Sequence, residues 1–212
     1  MKRIYVYCEG QTEESFVKTV LADYFARQEI YLTPILCNIS SSRKGGVSKF
    51  SIIKSELTKI CRKDKSAVVT TMLDYYGLPS DTPGVRDEVH GDIYAKVKHV
   101  EQKMLCEIGE ENLLPNLILH EYEGLLFSNP QGFLYCESSA RKLQEIIRIR
   151  ESFQTPEHIN NSPQTAPSKR VLSIYPGYSK VTDGVNIAID IGLDKIRQEC
   201  PHFNEWMEAL LK

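Results

Sequence analysis

The chain has 212 residues, 42% of them hydrophobic, with 26 basic and 28 acidic side chains and a formal charge of -2. It can bury one sizeable core near the upper range of a single domain, and it lacks the strong positive charge of a protein that coats nucleic acid. No apolar run approaches the ~20 residues of a membrane helix, and the six cysteines show no CxxC spacing, so a zinc cluster or disulfide framework is not expected and a reducing cytoplasm is.

Ile4 to Cys8 is short, apolar and rich in β-branched and aromatic residues, which predicts a buried first strand closed by Glu9. Thr12 is a candidate cap for the helix that follows, whose apolar face is Phe16, Val17, Val20, Leu21, Tyr24 and Phe25. A second strand is predicted over 30–39, then a loop around Gly45-Gly46. Val47, Phe50, Ile53, Leu57 and Ile60 recur at helical spacing, and 67–73 reads as a strand ended by Asp74. Beyond a Pro- and Gly-containing loop, Ile93, Val97, Val100 and Met104 mark a third helix. A short strand at 117–119 leads into His120-Glu121-Tyr122-Glu123. Strands alternating with helices imply βαβ units. The expected fold is α/β, a three-layer sandwich with a mostly parallel sheet of about four strands.

The pattern changes near Gln131. A charged helix over 141–151, a Pro-, Asn- and Ser-containing loop over 155–167 and a helical remainder anchored by Ile187, Ile191, Ile196 and Trp206 complete the chain. We divide it into an α/β core, 1–130, and a helical C-terminal extension, 131–212, packed on that core within one structural domain.

Ligands of open parallel sheets bind outside the carboxyl ends of the strands. Glu9, Asp74 and the pair Glu121 and Glu123 all fall at such ends, with Glu13 in the first turn of the first helix. Carboxylates crowded in one cleft repel unless a cation lies among them, and Mg²⁺ or Mn²⁺ with oxygen ligands suits phosphoryl chemistry. Each acid also has a plainer role: a turn residue at Glu9 or Asp74, a solvated helix start at Glu121 and Glu123, a dipole partner at Glu13 and Glu14.

Three segments carry a resemblance. Glu9-Gly10-Gln11-Thr12-Glu13 is similar to the EGxTE signature of Toprim-type proteins, including the OLD-family nucleases. Asp74-Tyr75-Tyr76 stands where a Toprim domain has its DxD, with Tyr76 replacing the second aspartate. His120-Glu121-Tyr122-Glu123 and the five residues after it resemble the HEFEALLFSD motif of a bacterial family of unknown function, which Pro167-Ser168-Lys169-Arg170, Tyr175 and Lys180 also fit. The resemblance implies a Toprim-like fold, with Glu9 as acid/base or metal ligand, Asp74 as metal ligand and Glu13 as the second glutamate of EGxTE. Glu121 and Glu123 are candidates for the missing carboxylate. It also implies an ATPase partner, as in defence-type operons.

Basic candidates complete the inventory. Arg43 and Lys44 beside Gly45-Gly46 suit backbone phosphates, without a Walker A pattern. Lys169, Arg170 and Lys180 are candidates to offset transition-state charge; a solvated helix face is the alternative. His120 is expected to be a hydrogen-bonded buried histidine rather than a proton carrier. Tyr75 and Tyr76 either stack on bases or pack under their loop. Two functions follow: a Mg²⁺- or Mn²⁺-dependent phosphodiesterase acting on nucleic acid, or a Toprim-like adaptor that regulates an ATPase. A small-molecule phosphate enzyme on the same scaffold stays open.

Overall fold

The computed structural model describes residues 1–37, 49–160 and 165–212. Five parallel strands form the centre: β1 (Lys2–Cys8) lies between β2 (Ile30–Leu36) and β3 (Val68–Asp74), and β3 also pairs with the two-residue strands β4 (Leu113–Leu114) and β5 (Leu117–Ile118). Strand alternation divides the core in two. Ile4, Val6 and Cys8 of β1 face one apolar cluster, while Tyr7 with Val69 and Leu73 of β3 face the other.

The helices fill both faces. After β1 come α1 (Gln11–Phe16), a π-helical turn at Val17–Leu21 and α2 (Ala22–Ala26), whose buried Phe16, Val17, Leu21 and Phe25 cover the first face. α3 (Phe50–Lys63) and α4 (Ile93–Ile108) cover the second with Ile53, Leu57, Val97, Val100 and Met104. Asp92 caps α4 by accepting from the Ala95 N–H, and Gly109 ends it at φ 70°, where a side chain would be strained. Beyond β5 lie α5 (Glu123–Leu126), α6 (Ala140–Glu151), α7 (Pro167–Ile174), α8 (Asp183–Ile191), α9 (Leu193–Glu199) and α10 (Pro201–Leu211), with short 3-10 turns among them. Residues of these helices share the first cluster with β1 and α1, giving helix, sheet and helix layers. No helix among the described residues is long and apolar enough to cross a membrane.

Several local expectations are corrected. The second strand stops at Leu36 rather than 39, and β4 escaped prediction because two residues carry no periodicity. The helix after β1 is capped not by Thr12, which lies inside it, but by Gly10, whose N–H donates to Glu13 Oε2 at 3.0 Å. A 3-10 turn, Pro156–His158, interrupts the loop expected over 155–167. Val47, Arg43 and Lys44 lie outside the described residues.

Two buried polar contacts tie the C-terminal helices to the sheet side. Trp206 Nε1 donates to Thr70 Oγ1 on β3 at 2.8 Å. Glu157, 6% exposed, accepts the N–H groups of His202 and Phe203 at the start of α10, and the Tyr94 hydroxyl from α4. Helix N-termini leave unpaired donors, so this carboxylate does the work of a cap from a distance. Glu157→Ala leaves two buried N–H groups without partners. It is expected to lower stability by about 2–4 kcal/mol, with Glu157→Gln intermediate, as read from the urea unfolding midpoint.

Candidate functional site

β1 runs out to β2 on one side, and the chain returns to place β3 on the other. The strand order therefore reverses between β1 and β3, and the crevice beyond their carboxyl ends is where ligands of such sheets bind. Glu9 follows β1 directly and Asp74 is the last residue of β3. Their contact is direct: the Asp74 N–H donates to Glu9 Oε2 at 3.0 Å. Gly77, the last residue of the Tyr75–Gly77 3-10 turn, leaves the space this carboxylate needs, since a Cβ there would sit 3.1 Å from Glu9 Oε1. Sequence reasoning passed over Gly77; its only signal was a glycine three residues beyond a strand-end aspartate.

The other acids come from elsewhere. Glu13 is 8% exposed in α1 and is tied to the Gly10 N–H. Glu123, 2% exposed, opens α5. Glu121, just before it, accepts both the Ser168 N–H (2.8 Å) and the Ser168 hydroxyl (3.0 Å) at the first turn of α7, which begins with Pro167. Ser168 belongs to a segment the sequence had flagged, but its role as the partner of Glu121 was not visible there.

Lys180, in the turn between α7 and α8, reaches into the group. Its Nζ lies 3.2 Å from Glu123 Oε1 and 3.9 Å from Glu121 Oε1. Burial alone would lower the pKa of Lys180, but Glu123 and Glu121 outweigh it and hold the ammonium above the usual lysine range. The other expected cations stand apart. Lys169 is exposed on α7. Arg170 donates through Nε to the Thr165 carbonyl at 2.7 Å and lies over the Phe153 ring, 5.3 Å from its centroid.

Electrostatics show how crowded the acids are. The Asp74 carboxyl is pushed well above the carboxylate range by burial and then by Glu9, Glu13, Glu121 and Glu123. Its Oδ1 is buried with no hydrogen-bond partner. Glu9 is raised by burial and by Glu121, against the lowering by the Asp74 N–H and Lys180. Glu123 is raised chiefly by burial, and Glu13 is lifted to about 7 by burial together with Glu9 and Glu123. A buried carboxyl oxygen without a partner, among oxygen donors only, matches what a hard divalent cation takes. Yet among the described residues no three His, Cys, Asp or Glu side chains already converge as a ready cage. An ion held by Glu9 and Asp74 would draw its remaining oxygens from water, substrate or a neighbouring carboxylate that shifts toward it.

His120 is buried as expected, but it is not hydrogen-bonded at Nδ1. Burial, with His158 acting in the same direction, pushes its pKa down to about 4, so the ring is neutral near pH 7. The Tyr76 ring lies against it in a tilted arrangement, with centroids 4.8 Å apart.

With this geometry in place, comparison with known proteins becomes informative. A family model described as Domain of unknown function (DUF4276) matches residues 8–211. The chain belongs to the DUF4276 family. Its fold is similar to that of the C-terminal region of the Burkholderia pseudomallei OLD protein, with a TM-score of 0.50 at 12% identity over 100% of both chains. No curated protein matches the chain.

A carboxyl raised in the native state makes the metal-free fold less stable as pH rises. Between the unfolded value, ~4.3, and the folded value the native state keeps a proton that the unfolded chain releases, so unfolding becomes easier across that window. For Glu13 the window ends at about 7. Glu13→Gln keeps an acceptor for Gly10 and removes the charge. In EDTA it is expected to be more stable than wild type by about 1–3 kcal/mol at pH 8, with the gap closing below pH 5. Denaturant unfolding of both proteins at the two pH values checks this.

Proposed function

We propose that this DUF4276 protein is a divalent-metal-dependent phosphodiesterase acting on nucleic acid. The observation that carries the reading is the unpartnered, buried Oδ1 of Asp74 beside Glu9, at the switch point of the sheet and ringed by Glu13, Glu121 and Glu123. Support comes from the Toprim-like Glu9-to-Glu13 segment and from the likeness of fold to the OLD protein region.

On this reading Glu9 and Asp74 hold Mg²⁺ or Mn²⁺, with Glu121 and Glu123 as further oxygen donors and Glu13 behind them. The bound ion supplies a Lewis acid that lowers the pKa of water and polarises the phosphoryl group. The Asp74 N–H fixes one oxygen of Glu9, and the Ser168 N–H and hydroxyl fix Glu121. Lys180 keeps its proton and balances the acids, in position to offset charge on a phosphate drawn toward them. Lys169 and Arg170, on α7, have a proposed role in contacting backbone phosphates away from the acids. Arg43 and Lys44 have the same proposed role, outside the described residues.

A second reading is favoured by one observation. The Lys180 ammonium already neutralises Glu123 and Glu121, as a metal ion would. The protein would then be an adaptor for a partner ATPase, with an eroded site.

Two measurements decide between them. Glu9→Gln and Asp74→Asn are each expected to abolish Mg²⁺- or Mn²⁺-dependent cleavage of a nucleic-acid substrate while leaving the fold intact; cleavage that persists in both variants sinks the assignment. A melt of the wild-type protein should rise with either ion, by about 2.7 kcal/mol at 100 times the dissociation constant. A flat response at millimolar metal selects the adaptor.

A further inference from the structure

A cleft of about 470 Å³ is lined by Tyr76, Asp92, Lys96, His120, Phe153 and Gln154 among others. That size suits a small-ligand site of ~300–1,000 Å³. The cleft and the acid cluster are built from the same strand ends. Tyr76 lies two residues beyond Asp74, and His120 immediately precedes Glu121.

The walls of the cleft are flat and aromatic. Tyr76 is 56% exposed and rests on the His120 ring at an interplanar angle of 37°. Buried His120 thus serves as the floor on which an exposed ring is held. Phe153 is fixed in a comparable way: the Arg170 guanidinium lies over it, and the Arg170 Nε–H···O=C bond to Thr165 sets the plane of that guanidinium. Lys96 adds a cation at the cleft, and Gln154 an amide that can donate and accept.

We propose that this cleft binds an unpaired nucleobase, stacked between Tyr76 and Phe153, so that the adjoining phosphodiester lies at Glu9 and Asp74. The inference rests on the phosphodiesterase reading and deepens it by naming the substrate class as single-stranded or locally unpaired nucleic acid. A base inside a duplex already has both faces covered, whereas an unpaired base offers them to aromatic side chains. The overall charge of -2 gives little sequence-independent attraction to phosphates. Stacking therefore has to supply affinity here, and because every base has a π-face, discrimination among bases should be weak.

The test is binding, in EDTA, of a fluorescein-labelled single strand, the same strand with all bases removed, and a blunt duplex, read by anisotropy. The wild-type protein should hold the single strand roughly tenfold or more tighter than the abasic strand or the duplex. Tyr76→Ala, at an exposed position, should bring the single strand down to the abasic level. Phe153→Leu should act in the same direction, its unfolding midpoint showing that the protein stays folded at the assay temperature. Equal affinity for single strand and abasic strand, or no effect of Tyr76→Ala, overturns the base site. Cleavage of the unlabelled strand with Mn²⁺ separates the two ideas. Base-dependent binding without cleavage defeats the phosphodiesterase reading and leaves the base site standing, whereas cleavage without base-dependent binding defeats the base site alone.

Discussion

Mutual repulsion among buried carboxylates is the constraint around which this molecule is organised. Glu9, Asp74, Glu13 and Glu123 all have their charged forms penalised by burial, and all four are penalised further by one another or by Glu121. Such a group persists only if donors from the rest of the fold offset part of that penalty. The Asp74 and Gly10 N–H groups, the first turn of α7 and the Lys180 ammonium supply them. Asp74 Oδ1 is left without a hydrogen bond, and its position at the reversal of strand order is where a ligand would arrive.

Those donors come from widely separated parts of the chain. The acids lie on segments up to Glu123, whereas Ser168 and Lys180 come from the helical region after it. The same region contributes Trp206, bonded to Thr70 in the middle of β3, and Phe203, whose ring packs against Phe16 of α1. Loss of packing there would therefore reach the acids without touching them. A lysine swung away from Glu123 exposes a buried negative charge, so the position of α7 and α8 and the charge state of the site are linked.

The strand-helix alternation was legible because β1, β3, α3 and α4 each carry enough apolar residues at one period to declare themselves. The placement of Glu9 and Asp74 followed from strand ends alone. What stayed hidden depends on three-dimensional approach. Ser168 meets Glu121 across 47 positions, Gly77 matters only because Glu9 folds over it, and Glu157 caps a helix 45 residues away. No local pattern encodes these. The buried reading of His120 was sound in burial, but its Nδ1 has no hydrogen bond and its ring packs, tilted, against Tyr76.

Tyr76 brings the two halves of the site together. It occupies the position where the Toprim pattern has its second aspartate, and by that pattern its absence counts against a metal centre. The geometry gives the substitution another meaning. Residue 76 sits past the end of β3, in a 3-10 turn, with its ring against His120. A carboxylate there would stand on a neutral, buried imidazole at the edge of a cleft, adding negative charge where a polyanion must pass. An aromatic ring at the same point adds a stacking surface and no charge. On the proposed reading, Glu121 and Glu123 supply the carboxylates that act on Asp74, and position 76 serves to hold a base in place of a cation.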